Sequence, residues 1–259
     1  MERQASLPPI FVGVPCATNA MIYAECAVAF MNLFAALNEK SVIILNSRAG
    51  SSIAGNRNVL TANFLNADGG RYDWMLCLDA DMVPSADVAY QLWRTAEATK
   101  ADAVSALYFD RRAPHFPVPK LLPNNPFYIA NGHFGEDAAQ SPHIAALKGV
   151  HEVEYFGMGA VLLHRRALDG LEYPWFEHTT DPGFNEDSEF CHKLRSQGRR
   201  LVLDADCRVG HMSVEAIGPR HWEAIGKPTI AAAKTAAVQA SVAIRMTPKM
   251  PAVVYNRDE

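Results

Sequence analysis

Through the first half of this chain, short apolar runs alternate with stretches of helical spacing, and that alternation constrains the fold more than any other feature. Ile10-Phe11-Val12-Gly13-Val14-Pro15 is too short for a helix and is closed by proline, so it reads as a buried strand. Thr18 to Asn38 follows with Met21, Ala24, Val28, Met31 and Phe34 at helical intervals. A strand from Ser41 to Leu45, a helix from Gly55 to Asn66, a strand from Trp74 to Leu78, a helix from Ser85 to Lys100 and a strand from Ala103 to Phe109 continue the pattern. Strands apolar on both faces, separated by helices, predict an α/β protein with a mostly parallel central sheet flanked by helices.

From Arg111 to Val150 the text becomes proline-rich and loses its period, which predicts a long loop region of the kind that faces ligands. Regular structure returns as a strand from Tyr155 to Leu163 and a helix from Glu186 to Gln197 stopped by Gly198. A strand from Arg200 to Leu203 and the segment Asp204 to Met212 come next. An alanine-rich helix from Thr229 to Ile244 then leads to the end. The expected organisation is one domain over residues 1–215 with a C-terminal helical extension, 216–259, packed on it.

Charge narrows the partners. Lys and Arg total 24 against 28 Asp and Glu, a net −4, so no global basic field draws in nucleic acid or an anionic membrane. Such a partner would need a local rim, for which Arg111, Arg112, Arg165, Arg166, Arg199, Arg200 and Arg220 are the candidates. No apolar run reaches 18 residues and no apolar core follows Met1-Glu2-Arg3-Gln4-Ala5-Ser6, so a cytoplasmic protein without a transmembrane segment is expected. The five cysteines are widely spaced with no CxxC pair, which predicts reduced core thiols.

Ligands of open parallel sheets bind beyond the carboxyl ends of the strands, where Asp79-Ala80-Asp81 falls. Two carboxylates one residue apart can hold a hard divalent cation and share it with phosphate oxygens. The same pair could equally form a turn that caps the helix after Pro84. Glu186 and Asp187 lie in a first helical turn, where the positive end of the helix dipole favours ionised acids, either as a general base or as capping residues. Trp175, beside Tyr173 and Phe176, offers a ring on which a sugar could stack, or a core side chain.

Asp79-Ala80-Asp81-Met82-Val83 formally fits the haloacid-dehalogenase-like phosphatases. In that family the motif lies on the first strand, whereas two strand-helix units precede it here. More of the chain resembles the nucleotide-sugar glycosyltransferases of GT-A (Rossmann-like) fold, in particular small family 2-like members of bacterial or bacteriophage type. Six segments agree in order over roughly residues 10 to 212. They are Phe11 to Pro15 with Thr18, Gly55-Asn56-Arg57-Asn58, Tyr72 to Met82, Gly157 to Arg166, Phe184 to Gly198, and Val209-Gly210-His211.

The resemblance implies a metal-dependent, inverting transfer of a sugar from a UDP- or GDP-sugar to an acceptor hydroxyl. It implies Mn²⁺ or Mg²⁺ held by Asp79, Asp81 and His211, and a nucleotide contacted by Pro15, Thr18, Arg57, Asp79, Ala80 and Asp81. Asp187 and Glu186 would be the catalytic acids, and Gly157, Gly159 and Trp175 would stand on the acceptor side. A retaining transfer and a non-catalytic nucleotide-sugar-binding subunit remain alternatives. The acceptor is open among a glycan, a lipid and a hydroxymethylated DNA base. Sugar nucleotidylyltransferases share the fold, but their glycine-rich N-terminal loop followed by Thr and Arg is missing.

Overall fold

Strands that are mostly short and apolar build one eight-stranded sheet in a computed structural model of the chain. The structure describes residues 6–16, 22–46, 52–67, 71–111, 118–126, 147–177 and 185–213. All of these belong to one compact unit, Met1–Ser213. The extension expected over 216–259 lies outside the described residues.

The strands are β1 (Ile10–Pro15), β2 (Val42–Asn46), β3 (Trp74–Leu78), β4 (Met82–Val83), β5 (Ala103–Leu107), β6 (Lys120–Leu121), β7 (Val150–Tyr155), β8 (Ala160–His164), β9 (Leu201–Arg208) and β10 (Gly210–His211). The described α-helices are α1 (Ala24–Ala36), α2 (Ile53–Asn66), α3 (Val88–Thr99) and α4 (Glu186–Ser196). The large sheet runs β2-β1-β3-β8-β5-β9-β7-β6, and β4 pairs with β10 in a separate ribbon. β1 is parallel to β2 and β3, and β5 is parallel to β9. β8 lies antiparallel between β3 and β5, and β7 is antiparallel to β9 and β6. The sheet is therefore mixed around a parallel framework.

Alternation along the strands sorts two cores. Phe11, Met75 and Cys77 face a cluster containing Leu60 and Phe64 of α2 and Phe190 and Leu194 of α4. Ile10, Val12, Leu76 and Leu78 face the other side, with Phe30 and Leu33 of α1 and Leu92 and Ala96 of α3. Helices thus cover both faces, as strands buried on both sides require.

Local chemistry sets the helix ends. Ser52 accepts a hydrogen bond from the Gly55 N–H at the start of α2. α4 opens with a reciprocal capping box between Asn185 and Ser188 and is followed by Gly198 at φ 72°.

The strand expected from Tyr155 to Leu163 is in fact two. β7 ends at Tyr155, and the chain turns through Phe156 to Gly159 before β8 begins on a different neighbour. Continuous apolar text hid that turn. The expected 111–150 loop includes β6 and the start of β7. Residues 112–117 and 127–146 of it lie outside the described residues. The cysteines behave as expected, all five unpaired and buried. Among the described residues no helix is long and apolar enough to cross a membrane.

Candidate active site

Beyond the carboxyl ends of β1, β3 and β5 lies a cleft of about 650 Å³. β3 delivers Asp79 to it. The Asp79 N–H donates to Gly159 O at 3.0 Å and Asp79 O accepts from the Met82 N–H at 3.1 Å, so the backbone turns through Asp79-Ala80-Asp81 into β4. The turn does not cap α3, whose N-cap residue is Asp87.

The β4–β10 ribbon places His211 opposite Met82, and the Met212 N–H donates to Asp81 O at 2.8 Å. His211 is thereby brought to Asp81, Nε2 to Oδ2 3.4 Å. Its other nitrogen, Nδ1, lies 2.8 Å from Phe109 O, which sets Nδ1 as the donor and turns Nε2 to the carboxylate. Arg111 Nη1 sits 2.7 Å from the same Asp81 oxygen. The hydrogen bond to Asp81 raises the His211 pKa above its ordinary value. Burial alone would raise Asp81, but His211 and Arg111 hold it below the usual carboxylate range.

The second centre is Arg57. Its side chain is 6% exposed and answers three carboxylates from two other elements. Nη2 donates to both Asp79 oxygens at 3.1 Å, while Nη1 reaches Glu186 Oε1 at 3.0 Å and Asp187 Oδ1. The other Asp187 oxygen accepts the Met158 N–H at 3.0 Å. Burial works against the charged guanidinium, but Asp187, Asp79 and Glu186 outweigh it and raise its pKa further.

Asp187 differs from the expectation of a dipole-stabilised anion. Burial pushes its pKa up to about 6, with Asp79 and Glu186 adding repulsion that Arg57 and the Met158 N–H only partly offset. Desolvation outweighs the helix terminus here.

Most expected site residues converge. Pro15, Arg57, Asp79, Ala80, Asp81, Glu186, Asp187 and His211 all line the cleft. Thr18 lies outside the described residues. Asp79 faces Arg57 with both oxygens, and Asp81 faces His211 and Arg111, so the two acids of the motif have different surroundings.

Among the described residues no group of three or more His, Cys, Asp and Glu side chains is arranged to hold a metal ion. The donors that do meet are Asp81 Oδ2 and His211 Nε2, one hard oxygen and one imidazole nitrogen with its tautomer fixed. That pair fits two positions of a divalent cation's shell, leaving the rest to phosphate oxygens and water.

Trp175 is not part of the cleft lining. It is half-buried against the core and packs edge-on to Tyr173 at 5.4 Å between ring centroids. Gly157 and Gly159 serve packing: a Cβ at Gly157 would strike the Tyr108 hydroxyl and come within 2.7 Å of Val118 Cγ1. That space lets the Tyr108 hydroxyl accept the Gly159 N–H at 3.0 Å.

Apart from Arg111, the described arginines of the expected rim are not part of the cleft lining, and Arg166 and Arg200 meet instead at Asp102. Arg165 donates to Phe64 O, Leu65 O and Tyr72 O, Arg166 pairs with Asp102, and Arg199 and Arg200 reach Asp169 O and Thr99 O. Of the candidates among the described residues, Arg111 alone lines the cleft. Arg112 and Arg220 lie outside those residues.

Four residues at or beside the site carry no assigned role in the sequence. Tyr108 and Asp110 line the cleft from the end of β5. Asn56 and Asn58, buried on either side of Arg57, tie α2 to Cys16 O and to the Phe176 backbone. Three consecutive polar residues in a helix that is otherwise packed are the signal that could have found them.

No family model matches the chain, and no curated protein shows significant similarity to it. Among solved structures, the crystal structure of A197 from STIV resembles it with a TM-score of 0.52 at 15% sequence identity, over 82% of this chain and 100% of that one. At such identity the likeness speaks for the fold alone, an α/β sheet flanked by helices.

Proposed function

We propose that the protein is a GT-A-type glycosyltransferase that moves a sugar from a UDP- or GDP-sugar to an acceptor hydroxyl with inversion. The observation that carries this reading is convergence: Asp79 and Asp81 after β3, Arg57 from α2, Glu186 and Asp187 from α4 and His211 from β10 all line one cleft. Asp81 and His211 would hold Mn²⁺ or Mg²⁺, which when bound supplies positive charge against the departing diphosphate.

Asp187 takes the proton of the attacking hydroxyl. With a pKa of about 6 it is mostly ionised at neutral pH yet more basic than an ordinary carboxylate. Arg57 fixes its orientation from one side and the Met158 N–H from the other. The test is incubation of the protein and Mn²⁺ with radiolabelled UDP- and GDP-sugars, with transfer or hydrolysis of the label expected. Nucleotide binding without either would leave a non-catalytic binding subunit, and no binding would overturn the reading.

One observation favours a retaining transfer as the second reading: both Asp187 oxygens already accept a hydrogen bond. In that case the leaving phosphate takes the proton and Asp187 positions the acceptor. The anomeric configuration of the product, read by NMR with glycan, lipid and hydroxymethylated-DNA acceptors, separates the two.

A further inference from the structure

We propose that Arg111 is the resident counter-ion of Asp81: in the nucleotide-free protein it holds the carboxylate that the cation takes on donor binding, and it then turns its guanidinium onto the diphosphate. This rests on reading the cleft as a nucleoside-diphosphate-sugar site.

Charge comes first. Among the described residues the cleft is lined by the carboxylates Asp79, Asp81, Asp110, Glu186 and Asp187 against the guanidiniums of Arg57 and Arg111. A diphosphate entering so acidic a cleft needs positive charge to meet it.

Arg57 cannot provide it. Its side chain is 6% exposed and its Nη atoms are engaged by three carboxylates, which would be left buried and facing one another if it moved. Arg111 has the opposite character, with a side chain 56% exposed and, among the described residues, a single ion pair, to Asp81 at 2.7 Å. Asp81 itself is 23% exposed, but a pair whose arginine is mostly in solvent contributes little, so releasing Asp81 costs little.

The backbone around that pair is held. Ser213 Oγ donates to Arg111 O at 3.2 Å and the Met212 N–H donates to Asp81 O at 2.8 Å, so the guanidinium can swing from an anchored Cα beside an anchored carboxylate. The oxygen that Arg111 occupies is also the one facing His211 Nε2 at 3.4 Å, so arginine and cation compete for one atom. A guanidinium fork also matches phosphate oxygens better than an ammonium does.

The experiment measures Mn²⁺ binding to the full chain by titration calorimetry, with the metal alone and with UDP or GDP present. It compares wild type with Arg111→Gln, Arg111→Lys and Asp81→Asn. Arg111→Gln should bind Mn²⁺ alone about three- to fivefold more tightly, the range an exposed ion pair supports. The same variant should bind UDP or GDP with Mn²⁺ about tenfold more weakly. A purely structural role would not move the two affinities in opposite directions. Arg111→Lys keeps the charge without the fork, and should bind Mn²⁺ like wild type but the nucleotide weakly. Unchanged Mn²⁺ affinity in Arg111→Gln, with binding abolished in Asp81→Asn, would overturn the exchange while leaving the cation site standing. Mn²⁺ binding indifferent to Asp81→Asn would overturn the site and the exchange together.

Discussion

Arg57 and Arg111 both pair with an aspartate of the Asp79-Ala80-Asp81 turn, yet they belong to different physical regimes. Around Arg57 the partners Asp79, Glu186 and Asp187 are 27%, 15% and 13% exposed, and the one guanidinium serves all three. Around Asp81 the arginine is mostly in solvent and the histidine is bound through its other nitrogen to a carbonyl. A buried cluster of this kind holds its members in place because breaking it strands charge in a poor dielectric. A half-open pair can change partners. One turn of chain therefore joins a fixed centre to an exchangeable one.

The largest expected effect comes from breaking the fixed centre. Arg57→Met removes the shared donor and should cost about 3–5 kcal/mol in denaturant unfolding, the penalty for stranding buried charge. A loss under about 1 kcal/mol would mean the carboxylates find other neutralisation and the contrast is illusory.

Next is Asp187→Asn, which keeps shape and the Met158 hydrogen bond but removes the proposed base. Turnover should fall about 10²- to 10⁴-fold with donor affinity little changed. A smaller fall, with the donor's configuration retained in the product, would assign Asp187 to positioning.

The third prediction uses pH. Asp187 is raised from 3.8 to about 6, so between those values the folded protein holds a proton that the unfolded chain has released. Stability from this group is full below pH 3.8 and is lost as pH rises through about 6. The unfolding free energy of wild type relative to Asp187→Asn should therefore fall by about 2 kcal/mol across that window. A flat difference would show that Arg57 keeps Asp187 ionised throughout.

The smallest effect belongs to the exchangeable centre. Asp81→Asn should change stability by less than about 1 kcal/mol, since the arginine of its ion pair is 56% exposed, while Mn²⁺ binding disappears. A large destabilisation would move Asp81 into the same class as Asp79.

Strand and helix text was legible where period and punctuation agreed. β3 has the bounds its apolar run predicts, and α4 begins at Glu186 because Asn185 and Ser188 write a cap into the sequence. The mixed direction of the sheet was not legible, because the end of β7, the turn at Gly157-Met158-Gly159 and β8 run through one apolar stretch, Tyr155 to Leu163, and the turn carries no polar residue.

For the site, residue types picked out acids and a histidine that line one cleft, but not how they would be shared. An arginine in a helix reads the same whether it faces water or three carboxylates. Only the buried flanking residues Asn56 and Asn58 distinguish the cases. Tyr108 gave no signal at all, since its role depends on two glycines about fifty positions away.

The partners of Arg57 are spread unevenly along the chain: Asp79 lies 22 positions away, whereas Glu186 and Asp187 lie 129 and 130 away. Closing the short loop costs little chain entropy and the long ones cost more, so a growing or refolding chain can form the Arg57–Asp79 pair long before α4 arrives. In that interval the pair is still solvated. Its burial is deferred until the sheet carrying β8 and β9 exists to receive α4. The cluster is thus a late seal on the fold, set after the layers beneath it.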